Sequence, residues 1–265
     1  MLIVGELINT SRKAVKPAVE QRDAAFIRDL AQKQVEAGAH YVDVNCGTMV
    51  HDEVETMEWL VNTIQEVVTA PLCIDTPRME AMEAGLAACK NGQPMVNSIT
   101  AEKERYALVL PLILKYKAKV VALCMDDTGV PATAEQRITI VKKLVGDLTA
   151  AGVPEDDIYL DPLVTPISTG DHCGNDVLDT VRFIRQTYPK VHGACGLSNI
   201  SYGLPNRKVL NQAFMIQTMA AGMDAYILDP LDKVMMGFVY ASQALLGQDS
   251  FCMQYLNAYR NGVYE

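Results

Sequence analysis

The sequence has few features of a nucleic-acid or membrane protein. Its formal net charge is −9, and it has no run of basic side chains longer than a pair such as Arg12-Lys13. Proteins that bind nucleic acids cluster lysine and arginine against the phosphates, so we exclude that class of partner. We also exclude a membrane span, because no apolar stretch reaches the roughly 20 residues that one needs.

The cysteines form no recognisable framework. There are seven of them, and none stands in a Cys-x-x-Cys pair. Scattered cysteines in odd number fit neither a disulfide scaffold nor a zinc knuckle, so we expect a protein of the reducing cytoplasm. Cys46, Cys73 and Cys195 lie in or beside predicted strands, and a zinc–thiolate site there is the alternative. Free cysteine is more often a small buried hydrophobe, so we predict no metal bound by this chain.

One pattern recurs eight times: a short apolar run, a polar residue at its end, a loop and an amphipathic helix. Each unit takes about 33 residues, the length of one strand–helix step. The predicted strands are Leu2–Gly5, Tyr41–Asn45, Leu72–Asp75, Met95–Ser98, Val120–Met125, Ile158–Asp161, Gly193–Asn199 and Ala225–Asp229. The predicted helices begin near Ala24, Asp52, Met79, Ala101, Ala134, Asn175, Pro205 and Asp232, and a closing helix covers Ser250–Tyr259.

Strands that alternate with helices predict a parallel sheet with right-handed crossovers. Eight such units close most economically as a (β/α)₈ TIM barrel of about 250 residues. We therefore expect one α/β domain over residues 1–265. The alternative is an open doubly wound sheet, which should show a glycine-rich first turn and a switch point. Neither is evident.

Polar residues stand at the carboxyl ends of the predicted strands, where barrel active sites form. They are Glu6, Asn9, Asp43, Asn45, Asp75, Asn97, Ser98, Asp126, Asp127, Asp161, Ser198, Asn199 and Asp229. None is a lysine, which excludes Schiff-base aldolase chemistry. No glycine-rich loop follows the last two strands, so a phosphate cradle is also missing.

These side chains suit two kinds of ligand. Hard divalent cations need several oxygen ligands, which Asp43, Asp75 and Asp161 could supply. A heterocycle with an NH₂ and a ring NH side by side can donate both to one carboxylate. Asn97 and Asn199 can donate to ring nitrogens or accept from ring NH groups. The residues alone favour the organic ligand only slightly.

Six strand-end motifs, in order along the whole chain, resemble those of the pterin-binding methyltransferase family. They are Gly5-Glu-Leu-Ile-Asn9, Val42-Asp-Val-Asn45, Cys73-Ile-Asp75, Met95-Val-Asn-Ser98, Tyr159-Leu-Asp-Pro-Leu163 and Gly196-Leu-Ser-Asn-Ile-Ser201. The chain is most similar to the methyltetrahydrofolate:corrinoid/iron–sulfur protein methyltransferases. Dihydropteroate synthase and the folate domain of methionine synthase resemble it less. One position departs from the pattern, since Leu7 stands where the family often has arginine.

The resemblance implies a role for each strand end. Asp75, Asn97 and Asp161 would hold the pyrimidine edge of a pterin. Asn199 would be the catalytic residue, near the N5 atom that carries the methyl group. The remaining expected pocket residues are Asp43, Gly196, Ser198 and Arg207, with Glu6, Asn9, Asn45 and Met125 as further candidates.

The implied activity is methyl transfer between a corrinoid (cobalamin) protein and N5 of tetrahydrofolate, in either direction. None of the four histidines stands in an Asp-x-His-x-x-Gly cobalt-ligating motif, so we expect the cobalamin on a partner protein. The resemblance also implies a homodimer, with the helix that carries Met235-Met236 as one candidate surface.

Three rival functions follow from the same residues. A dihydropteroate synthase would need basic residues for a diphosphate leaving group, and the strand ends are short of them. The second rival is a non-catalytic folate-binding subunit of a corrinoid complex. The third is a metal-dependent barrel hydrolase that uses the carboxylates.

Overall fold

The eight repeating units form a closed parallel barrel in a computed structural model, which describes residues 1–264. Each strand pairs with the next along the chain, and the last strand pairs with the first. The strands are β1 (Leu2–Asn9), β2 (Tyr41–Asn45), β3 (Leu72–Asp75), β4 (Met95–Thr100), β5 (Lys119–Leu123), β6 (Ile158–Asp161), β7 (His192–Gly196) and β8 (Ala225–Leu228). The predicted (β/α)₈ barrel is confirmed, and the open doubly wound sheet is wrong.

Helices surround the barrel in the predicted order. They are α1 (Val15–Glu20), α2 (Ala24–Glu36), α3 (Glu53–Gln65), α4 (Met79–Ala88), α5 (Lys103–Tyr116), α6 (Ala134–Ala150), α7 (Cys173–Thr187), α8 (Arg207–Ala221), α9 (Lys233–Leu245) and α10 (Met253–Arg260). Helix α1 was not predicted, because its six residues, with Pro17 among them, are too few to show a helical period. At the start of α6, Thr133 and Gln136 bond reciprocally in a capping box, which fixes where the helix begins.

The predicted end of the seventh strand is wrong by three residues. Strand β7 stops at Gly196, and Leu197–Ser201 form a 3₁₀ helix. Leu197 and Ile200 are both buried, and their spacing of three suits a 3₁₀ turn. The apolar residues that suggest a longer strand are therefore real core residues, but in a different local structure.

The core lies in two shells. Outward-facing strand residues pack against the helices, closely enough in places to require glycine. A Cβ at Gly85 of α4 would stand 2.9 Å from Ile74 of β3 and from Met57 of α3. The inner shell fills the barrel itself and consists of Val4, Tyr41, Cys73, Met95, Val121, Tyr159, Ala194 and Ala225, with Leu2, Leu123 and Ile227 against it.

The inner shell determines which strand-end residues face the mouth of the barrel. Successive side chains of a strand point to opposite faces, so residues two positions beyond an inner-shell residue also face inward. By this rule the top of the interior holds Glu6, Asp43, Asp75, Asn97, Asp161 and Gly196, together with the apolar Leu123 and Ile227. The interior thus changes from apolar to mainly acidic and amide-bearing at its C-terminal end.

Candidate functional site

Strands β2, β3 and β4 bring four polar side chains together on one side of the mouth. Asp75 and Asn97 are register partners on neighbouring strands. The Asn45 carboxamide donates to the Asp75 carboxylate at 2.8 Å. Asp43 lies below them on β2 and is only 2% exposed. The strand register and the Asn45–Asp75 hydrogen bond therefore bring Asn45, Asp75 and Asn97 together on one side of the mouth.

Burial raises the pKa of both carboxyls in this group. The pKa of Asp43 lies well above its ordinary value, first because of burial and then because of the charge of Asp75. Burial also raises the pKa of Asp75, although the hydrogen bond from Asn45 and the charge of Arg105 oppose it. Each carboxyl therefore keeps its proton to a higher pH than an isolated aspartate would. In the described chain, the buried Oδ1 of Asp43 has no hydrogen-bond partner.

Asp161 lies across the mouth at the end of β6. It is 7% exposed, and its carboxylate accepts from the main-chain N–H of Leu163 at 2.8 Å. Burial raises the pKa of Asp161 to about 6, and the main-chain donor limits the rise. At neutral pH this carboxyl is therefore ionised but poorly solvated, a state that favours N–H donors from a ligand.

Asn199 reaches the mouth by a route that differs from the prediction. It belongs to the 3₁₀ helix rather than to the tip of β7. Its carboxamide nitrogen nevertheless lies 3.5 Å from the point where a Cβ on Gly196 would stand. Because position 196 faces inward, the Asn199 amide lies above the end of β7 and within the mouth. Asn199 is exposed, as a residue that meets a ligand from outside should be.

Arg207 holds the 3₁₀ helix in place. This first residue of α8 donates through Nη2 to the main-chain oxygen of Ser198 at 2.6 Å and through Nε to Ser201 Oγ at 3.0 Å. The Ser198 carbonyl is thus occupied. The geometry makes Arg207 a support for the Asn199 segment.

The further candidates occupy the rim. Glu6 bonds to Arg12 at 2.6 Å, and burial raises its pKa against the effect of that arginine. Asn9 accepts from the N–H of Ser11 at 2.9 Å and so shapes its own turn. Met125 is half-buried just beyond β5, where its carbonyl accepts from the N–H of Ala101 at 2.9 Å.

Arg105 was not identified from the sequence. It extends from the first turn of α5 to main-chain oxygens that follow Asp75 and Asn97: Ser98 at 2.9 Å and Thr76 at 3.2 Å. A cation in the first turn of a helix is disfavoured by the helix dipole, and that is the only signal the sequence offers. Its partners lie 7 and 29 positions away, too far for a local pattern to reveal them.

Within residues 1–264, no group of three or more histidine, cysteine, aspartate or glutamate side chains is arranged to hold a metal ion. No helix over the same residues is long and apolar enough to cross a membrane.

Comparison with known proteins identifies the family. The profile of the pterin binding enzyme family matches residues 5–229, which run from the middle of β1 to the residue after β8. The chain belongs to the pterin binding enzyme family. The predicted resemblance to pterin-binding enzymes is thereby confirmed.

Two curated proteins are similar to the chain in sequence. The methylcorrinoid:tetrahydrofolate methyltransferase of Eubacterium limosum is 40% identical over 264 residues, which cover 99% of this chain and 97% of that protein. The methionine synthase of Mycobacterium tuberculosis is 31% identical over 241 residues, 86% of this chain but only 20% of that enzyme. The chain therefore spans nearly the whole of the first relative and about a fifth of the second.

Solved structures of pterin enzymes share the fold. A dihydropteroate synthase from Clostridium difficile, solved in the presence of pteroic acid, superposes with a TM-score of 0.72 at 19% identity, over 92% of this chain and 96% of that one. A Xanthomonas albilineans dihydropteroate synthase in complex with indole-2-carboxylic acid and 6-chloroguanine gives 0.71 at 18% identity, over 92% of both chains. At this identity the likeness concerns the barrel alone.

Proposed function

We propose that this pterin binding enzyme transfers a methyl group between a corrinoid protein and N5 of tetrahydrofolate. The observation that carries the proposal is the inward layer of Asp75, Asn97 and Asp161 with the Asn199 amide above Gly196. The similarity over the full chain to a methylcorrinoid:tetrahydrofolate methyltransferase supports it. That relative's name also supports the direction from methylcorrinoid to tetrahydrofolate.

The pterin fits the donors and acceptors that the mouth provides. Its NH₂ and ring NH are hydrogen-bond donors, and the oxygens of Asp161 and Asp75 are acceptors that burial has deprived of water. Asn97 can donate to one ring nitrogen and accept from another group. We propose that these three side chains bind the pyrimidine edge, with Asp43, Gly196 and Ser198 around it. Glu6, Asn9, Asn45, Arg207 and Met125 would support or border the pocket.

The carboxamide oxygen of Asn199 would accept a hydrogen bond from N5 when that nitrogen is protonated. When N5 gains the methyl group its proton must leave, and in the reverse direction a proton must arrive before the methyl group leaves. An asparagine Oδ1 accepts a hydrogen bond from N5–H⁺, and such a bond is strong only while the charge is present. It therefore counts toward catalysis, because it strengthens as the reaction proceeds. The corrinoid, when bound, supplies the cobalt that carries the methyl group.

The partners and setting follow from the same proposal. Cobalamin would arrive on a separate corrinoid protein, and this chain would bind no metal itself. The seven free cysteines, four of them buried, suit the reducing cytoplasm. We propose that residues 1–265 act as one barrel domain.

We also propose a homodimer, with the outer face of α9 and α10 as its surface. Met235 and Met236, expected as the contact, are buried at 6% and 3% exposure and pack in the protomer. The exposed stripe of α9 is instead Val234, Phe238 and Leu245, spaced as one helix face. Val234 and Phe238 line a cleft of about 360 Å³ with Tyr255 and Tyr264. Phe238→Glu should reduce the mass measured by light scattering from dimer to monomer, and a monomeric parent would contradict this.

A spectroscopic assay tests the proposed reaction. Purified enzyme, tetrahydrofolate and free methylcobalamin are mixed without oxygen, and the cobalt(I) absorption and 5-methyltetrahydrofolate are followed together. We expect both to appear in equal amounts, and the reverse mixture reports the opposite direction.

The same preparation discriminates the rivals. Condensation with p-aminobenzoate would indicate a dihydropteroate synthase. A hydrolytic activity that a chelator abolishes would indicate a metal-dependent hydrolase. Binding of tetrahydrofolate with no change at cobalt would indicate a non-catalytic subunit.

A further inference from the structure

Arginines at helix starts bond to the main chain at the mouth of the barrel. Arg78, just before α4, donates to Val50 O at 3.4 Å, and Arg137, in the first turn of α6, donates to Pro162 O at 2.8 Å. Arg105 and Arg207 do the same from α5 and α8. The helix dipole disfavours a cation at each of these positions, so the bonds to carbonyls have to offset that cost. The loops at this end of the barrel are thus fixed by arginines rather than by helix caps alone.

Arg105 has the most extensive of these contacts. Its Nη1 donates to Pro77 O at 2.5 Å and approaches Met79 Sδ at 3.5 Å. Its Nη2 donates to both Ser98 O and Thr76 O, and its Nε also donates to Ser98 O at 3.2 Å. The three carbonyls belong to residues that directly follow the inward-facing Asp75 and Asn97 or stand one position further on.

The two strand ends are also joined to each other at this point. The main-chain N–H of Thr76 donates to Asn97 O at 3.2 Å. A planar guanidinium with donors in a fixed fork can hold both ends at one spacing, which a lysine ammonium cannot reproduce. Arg105 therefore constrains the separation of the Asp75 and Asn97 side chains.

We infer that Arg105 is a positioning residue for the pterin edge, which holds Asp75 and Asn97 at their working separation. The inference rests on the proposed function and assigns a role to a residue outside the pocket. Arg105 would touch no ligand and would act through these two side chains.

Arg105 also affects the ionisation of Asp75, together with the other groups around that carboxyl. Asn45 and Asp43 face it from β2, and Arg105 approaches it from α5. Glu102 is the carboxylate that acts on Arg105 itself, and Glu53 of α3 bonds to the neighbouring Thr76. Arg105 is the only cation found to lower the pKa of Asp75 within the described chain. Its removal should therefore make Asp75 harder to ionise.

The test measures the dissociation constant of tetrahydrofolate by calorimetry, without oxygen, from pH 5.5 to 8.5. Arg105→Gln removes both the charge and the fork, whereas Arg105→Lys keeps the charge. Arg182→Gln, which breaks an exposed ion pair on α7, is the matched control. We expect Arg105→Gln to weaken binding about tenfold or more at pH 6 and less at pH 8, because one unit of pKa corresponds to a tenfold change. Arg105→Lys should weaken binding evenly while keeping the pH midpoint of the parent.

Two results would overturn the inference. One is an Arg105→Gln profile that coincides with that of Arg182→Gln. The other is a loss of tetrahydrofolate affinity that is the same at every pH and the same for Arg105→Gln and Arg105→Lys. Arg105 would then only stabilise the fold. If Arg105→Gln is misfolded, as shown by the lack of a cooperative unfolding transition, the Arg105→Lys variant provides the test. An affinity for tetrahydrofolate in Arg105→Lys equal to that of the parent would also contradict the inference. A parent that binds no tetrahydrofolate at any pH would instead contradict the proposed function.

Discussion

The carboxamide nitrogen of Asn199 lies 3.5 Å from the position that a side-chain carbon on Gly196 would take. Gly196 has φ −73° and ψ 89°, so an L-residue is allowed there. The missing side chain therefore keeps space open beneath Asn199 rather than permitting an unusual backbone.

Gly196→Ala should separate stability from binding. We expect a free energy of unfolding that is unchanged or up to about 1 kcal/mol higher, because alanine restricts the unfolded chain. Tetrahydrofolate affinity should fall by at least about tenfold, because the methyl group occupies the space beside Asn199 that the ligand needs. Urea unfolding and calorimetry measure the two effects. Gly146→Ala on α6, where a Cβ meets nothing within 4 Å, is the control and should leave binding unchanged.

Asn199→Ala should affect the rate more than binding. Loss of a hydrogen bond to a charged group costs about 1.5–3 kcal/mol, or roughly 10- to 100-fold in the methyl-transfer rate. The affinity for unmethylated folate should change much less. Single-turnover rates and titrations give the two quantities, with Asn62→Ala on α3 as the control. Equal losses in rate and affinity would make Asn199 a binding residue only.

The affinity for tetrahydrofolate should rise with pH through about 6, the value to which burial raises the pKa of Asp161. Below that pH the carboxyl is protonated, and the affinity should fall by up to about tenfold per pH unit as the acceptor is lost. Asp161→Asn should weaken binding and flatten this part of the profile. A parent profile without any change between pH 5 and 7 would contradict the role of Asp161.

The unliganded protein should respond to Asp161 in the opposite sense. A carboxyl whose pKa is raised on folding favours the folded state while it is protonated. The free energy of unfolding should therefore fall as the pH rises from about 4 to about 6. Denaturant midpoints of the parent and of Asp161→Asn over this range measure the difference.

His192 should stabilise the opposite end of the barrel at low pH. Its Nδ1 lies 2.8 Å from Asp224, its ring stacks on Tyr159 at 4.6 Å, and the bond to Asp224 raises its pKa. The stabilisation should be complete below pH 6.5, the ordinary value, and should be lost as the pH rises through the raised pKa. Between pH 6 and 9, the urea concentration at the unfolding midpoint should fall further for the parent than for His192→Gln. Equal losses would show that the pair contributes nothing.

The barrel and the first residues of most strands could be predicted because the sequence signal is local, whereas several strand ends were wrong; β1 runs to Asn9, four residues beyond its predicted end at Gly5. Tyr41–Asn45, Leu72–Asp75 and Ile158–Asp161 have the predicted limits, since each is a short apolar run that stops at a polar residue. The end of β7 could not be placed, because Leu197 and Ile200 are buried in a 3₁₀ helix as they would be in a strand.

The inward-facing carboxylates and amides of the site could be predicted, whereas its supporting contacts could not. Strand alternation and barrel closure bring Asp75, Asn97 and Asp161 to one opening. Arg105 donates hydrogen bonds to the main chain at Thr76 and Ser98, and Arg207 does so at Ser198. These bonds depend on where the helices pack against the rim of the barrel. No pattern in a single sequence reports such distances.

A crystal structure with bound tetrahydrofolate tests the central claim most directly. We predict the pyrimidine edge within hydrogen-bonding distance of Asp75, Asn97 and Asp161, with N5 facing the carboxamide of Asn199. A pterin bound elsewhere, or one in the mouth with N5 turned away from Asn199, would contradict the account.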